Sequence, residues 1–173
     1  FSDGNYIYYP RYFYGMTVRV ALNDFSPSGV EWIDLAAINS NLRNFISGFN
    51  DGNYGYYFPF VGQFAVRVAL NNFSLSGVEW FDLATIDSGL SNFFGGFHDE
   101  NYIYYTPYAH ANIARVALNN FSLSGVEWFD LATIDSSLSD FLWGFSDGNY
   151  AYYASFMNGN IVRVTLNNFS ASS

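Results

Sequence analysis

The chain has 173 residues, half of them hydrophobic and 22% aromatic, with only 12% charged against the roughly 25% usual in soluble domains. That composition excludes a disordered segment, a flexible linker and a collagen-like chain, and it can fill a large core. Six arginines, no lysine and fifteen carboxylates give a net charge of −9, which offers no basic footprint for nucleic acid or an anionic membrane; the lack of cysteine excludes disulfides, thiolate metal sites and thiol nucleophiles.

In chain order, the first predicted strand is "NYIYY" at Asn5 to Tyr9, after the turn "DGN" at Asp3 to Asn5. It is followed by "TVRVAL" at Thr17 to Leu22 and "GVEWIDL" at Gly29 to Leu35. All three are rich in aromatic and β-branched residues and bounded by Gly, Asn, Asp and Ser. A fourth apolar piece, "LRNFISGF" at Leu42 to Phe49, reads as a strand. The three- and four-residue spacing of Leu35, Ile38, Leu42 and Phe45 sets a helical turn near Ser40 against that reading. No apolar run approaches the roughly 18 residues of a spanning helix.

The same order then repeats every 48 residues without a gap, Phe1, Phe49, Phe97 and Phe145 each opening a unit. The second and third units share 33 of 48 residues, including the unbroken run "RVALNNFSLSGVEWFDLATIDS" from Arg67 to Ser88. The chain therefore divides into units 1–48, 49–96 and 97–144 and a partial unit 145–173, together one repeat domain. Four strands per unit predict one small antiparallel sheet for each. In "NYIYY" neither alternate face is polar, so each sheet is expected to be covered on both sides. The fold class is thus all-β, with propeller-like blades. The cadence of a "DG-Y-Y" strand, a "V-R-V" strand and a short turn resembles the β-propeller repeats of the kelch and related types. That resemblance implies radially stacked blades, although the kelch double glycine occurs only at Gly95-Gly96.

Several residue sets repeat with the unit. Asn-Phe-Ser at Asn72, Asn120 and Asn168 is a glycosylation sequon, with Asp24 at the equivalent place in the first unit. An Asx-type turn is the competing role. The "DGN" turns at Asp3, Asp51 and Asp147, with Glu100 replacing the glycine in the third unit, are too short for a calcium loop. No metal site or cofactor is expected, with calcium as a minor alternative and N-linked glycans as the one attached group. Arg19, Arg67, Arg115 and Arg163 lie in apolar strands, and the carboxylates Glu31, Asp34, Glu79, Asp82, Glu127 and Asp130 recur at fixed offsets from them, which predicts structural ion pairs. Trp32, Trp80 and Trp128 are expected in the core rather than on a sugar-stacking surface. The loop that varies most between units has an aromatic third residue each time, Tyr12, Phe60, Tyr108 and Phe156, a candidate interface or ligand rim.

No residue is assigned as catalytic. His98 and His110 occur in one unit only and lack a nucleophile motif, so the chain is expected not to be an enzyme. About three and a half units are too few for a large closed ring, and the array breaks off inside a unit. The expected function is therefore that of an extracellular structural protein whose partner is itself, joined head to tail as a filament or a multi-chain ring. A multivalent carbohydrate-binding protein is the alternative.

Overall fold

The computed structural model describes residues 1–60 and 62–169. Fourteen strands run in chain order: β1 (Tyr6–Pro10), β2 (Met16–Ala21), β3 (Val30–Asp34), β4 (Phe45–Asn50), β5 (Tyr54–Pro59), β6 (Phe64–Ala69), β7 (Val78–Asp82), β8 (Phe93–His98), β9 (Tyr102–Pro107), β10 (Asn112–Ala117), β11 (Val126–Asp130), β12 (Phe141–Ser146), β13 (Tyr150–Ser155) and β14 (Ile161–Thr165). They form four antiparallel sheets in the orders β1-β2-β3, β4-β5-β6-β7, β8-β9-β10-β11 and β12-β13-β14, here called blades 1 to 4. No helix among the described residues is long and apolar enough to cross a membrane.

The expectation of one sheet per unit needs a correction. The last strand of each unit, β4, β8 or β12, pairs with the first strand of the following unit and not with its own. Connection length decides this. The three-residue turn between β4 and β5 holds those strands together as a hairpin, because antiparallel neighbours need only a tight turn. The ten residues between β7 and β8 instead carry the chain from the outer edge of one sheet to the inner edge of the next. The competing helical turn near Ser40 contracts to a short 3-10 turn at Leu35–Ala37, and Phe45–Asn50 is a strand.

Packing between blades makes the core. One cluster joins blades 1 and 2 through Ile33, Leu35, Tyr57, Val66 and Val68. A second joins blades 2 and 3 through Tyr56, Phe58, Ile103, Tyr105 and Val116, and a third joins blades 3 and 4 through Tyr104, Ile113, Ala151, Tyr153 and Val164. In the inner blades, β5 and β9 are buried on both faces, whereas β1 buries only Tyr8 and β13 only Ala151 and Tyr153. Among the described residues no cluster joins blade 4 to blade 1, so the four blades form an open arc. The inner strands β4, β8 and β12 lie side by side along its concave edge.

Candidate functional site

Each hairpin turn is fixed by its aspartate. The Oδ1 atom of Asp3, Asp51, Asp99 and Asp147 accepts backbone N–H bonds from the residues two and three places on, at 2.8 to 2.9 Å. The Oδ2 atom accepts a bond of 2.6 to 2.8 Å from the hydroxyl of Tyr8, Tyr56, Tyr104 or Tyr152. Burial works against the charged carboxylate of Asp51, yet the N–H groups and the Tyr56 hydroxyl hold it below the usual carboxylate range. Asp3 is lowered against the same opposing burial, by Tyr8 and the backbone. Conversely, burial and the bond to Asp3 push the Tyr8 hydroxyl up to about 12, and Tyr56 and Tyr104 also rise. The sequence does not single out this aspartate–tyrosine pair five residues apart, because a turn role alone accounts for the aspartate.

The repeated arginine is the centre of a second lock. Cross-strand register sets Arg19 opposite Glu31, Arg67 opposite Glu79 and Arg115 opposite Glu127, and the pairs close at 2.9, 2.7 and 2.8 Å. Asp34, Asp82 and Asp130 take no part in these pairs. They lie three residues beyond the glutamates, on the opposite face of the strand, and their Oδ1 atoms accept from Ala36, Ala84 and Ala132 N–H to start a 3-10 turn. Each guanidinium lies between two rings. Arg19 stands 4.1 Å from the ring of Tyr6 in its own blade and 4.5 Å from that of Phe73 in the next. Arg67 is 4.0 Å from Tyr54 and 4.5 Å from Phe121, and Arg115 is 4.0 Å from Tyr102 and 4.5 Å from Phe169. Arg19 and Arg115 also donate across the blade boundary to the carbonyls of Leu70 and Leu166, at 3.0 and 2.8 Å. Arg163 is exposed, with Tyr150 4.7 Å away.

The Asn-Phe-Ser turns deliver those second rings. Asn72 and Asn120 are exposed, accept from Ser74 and Ser122 at 2.7 Å, and donate to Ser76 and Ser124. Asp24 holds the same two positions as an acceptor only, from Ser26 and from Ser28. Asn168 is exposed, and Ser170, which completes its sequon, lies outside the described residues. Of the tryptophans expected in the core, Trp128 is half-buried and packs against the cluster that joins blades 2 and 3, whereas Trp32 and Trp80 are exposed, Trp32 on a face of blade 1 that no other blade covers.

A cleft of about 420 Å³ opens between the inner strands, lined by Phe49, Phe58, Phe94, His98, Thr106 and Trp143 among others. Each inner strand has a bulge there, between Phe45 and Ser47, Phe93 and Gly96, and Phe141 and Trp143, a feature common beside binding sites. His98 stacks on Phe49 at 3.9 Å. Tyr12, Phe60 and Tyr108 form a ladder with centroids 5.5 and 5.6 Å apart, and Phe94 of the cleft lining touches both Phe60 and Tyr108. Phe156 stands exposed at the equivalent place. The backbone N–H groups of Phe60, Tyr108 and Phe156 are anchored on the carbonyls of Asn44, Asn92 and Asp140, which take left-handed φ of 64°, 54° and 58°. The cleft was not legible in the sequence, because it is made by bulges and by strand pairing across units.

No family model matches the chain, and no curated sequence is significantly similar to it. Solved structures do match. Virginiamycin B lyase from Staphylococcus aureus aligns with a TM-score of 0.62 at 12% identity, covering 89% of this chain and 46% of the lyase. The dihydro-heme d1 dehydrogenase NirN, in complex with DHE, aligns with a TM-score of 0.52 at 13% identity, covering 97% of this chain and 36% of NirN. The chain thus spans less than half the length of the propellers it matches. Both are named for enzymatic activities, which overturns the expectation that such an array is not an enzyme; at these identities the likeness carries the fold and none of the chemistry. With these matches and its four sheets, the chain is an all-β repeat array of propeller-like blades.

Proposed function

We propose that this chain is an extracellular scaffold, an arc of propeller blades that joins other copies of itself head to tail. The observation that carries the reading is the pair of uncovered blade faces. Blade 1 presents Tyr9, Val30 and Trp32, and blade 4 presents Trp143, Phe145 and Ile161, all exposed. Each face is one half of an interface that the chain builds three times internally. Apolar area of this kind is stabilised by burial at about 25 cal/mol per Å², and a face that matches its counterpart on a second copy makes a heterologous contact. Electron micrographs of the purified chain test the reading: rings or rods are expected, and isolated arcs at every concentration contradict it. The exposed Asn72 and Asn120 support an extracellular, glycosylated protein. A drop in intact mass on glycosidase treatment of material from its source is the expected result; an unchanged mass removes this support.

A further inference from the structure

Resting on that reading, we propose that the joint between copies is a fourth arginine lock divided between two chains. In it Arg163 of one copy enters between its own Tyr150 and the Phe25 ring of the next copy, and donates to that copy's Leu22 carbonyl. The three internal locks set the pattern. In each, the first ring belongs to the arginine's own blade, and the second ring comes from the turn after the arginine-bearing strand of the next blade. The leucine carbonyl, where it is used, lies three residues before that second ring.

Both halves of the fourth lock are present and open. Leu166 and Phe169, which complete the lock on Arg115, are 8% and 7% exposed, whereas their equivalents Leu22 and Phe25 are 46% and 72% exposed. On the other face, Ile161 is 75% exposed and its equivalent Ile113 is fully buried. Beside Phe25 a shallow groove of about 550 Å³ is lined by Val20, Val30 and Trp32, the edge against which the Ile161 face would lie.

Sedimentation velocity over a concentration series, on the full chain and its Arg163→Met, Phe25→Ala and doubly substituted variants, tests this. Each single variant is expected to move the association midpoint up by about tenfold. The double variant should add little beyond either single one, because the two groups form one contact. An Arg11→Met variant, which removes an exposed arginine outside the lock, should associate as the wild type does. At concentrations below the association midpoint, circular dichroism melts should be unchanged in all variants, since the substituted side chains are exposed. If the wild type associates and both single variants associate equally well, the divided lock is wrong while self-association stands. If the wild type remains monomeric throughout, the scaffold reading itself falls, and the lock with it.

Discussion

At the scale of single residues, the molecule spends its few charges on holding hairpins and blades together. The aspartate–tyrosine pairs link stability to pH in both directions. Asp3, Asp51 and Asp147 titrate lower in the folded chain than when unfolded. Their contribution is complete above the unfolded value, about pH 4, and is lost as pH falls through the depressed folded values. Tyr8, Tyr56 and Tyr104 titrate higher when folded, so their contribution is complete below about pH 10 and is lost as pH rises beyond it. A thermal-unfolding series should give a plateau with a fall at each end, and Asp51→Asn should flatten the acid side. A midpoint that holds steady through strong acid would contradict the carboxylate part of this account.

At the scale of elements, the inner strands are packed so closely that their glycines leave no room for a side chain. A Cβ on Gly144 would overlap the Phe97 ring and the Tyr152 carbonyl, and one on Gly48 would press on the ring of Phe1. Gly144→Ala should therefore cost about 1–3 kcal/mol in urea unfolding, and a neutral result would mean that the ring moves aside freely. The strands themselves were legible, because the β-branched and aromatic runs of a unit recur at fixed offsets. Their grouping was not, since periodicity is blind to whether β4 pairs with β3 or with β5. The partner of each arginine was only half legible. Glu31 and Asp34 both recur at fixed offsets from Arg19 and its copies, and only cross-strand register tells which of them faces it. The hairpins account for the unit-opening phenylalanines: Phe1, Phe49, Phe97 and Phe145 each stack on the second tyrosine of the following strand, with centroids 4.7 to 4.8 Å apart.

At the scale of the whole molecule, four blades with three buried interfaces leave two faces that the same residues elsewhere in the chain keep dry. Repeat arrays are stabilised by nearest-neighbour contacts, and an uncovered terminal face is a site for another repeat. The mass of the wild-type chain in solution, followed by light scattering from dilute to concentrated samples, bears on this most directly. The account predicts a mass that rises with concentration to a multiple of the 19.5 kDa chain. A constant single-chain mass across the whole range would contradict it.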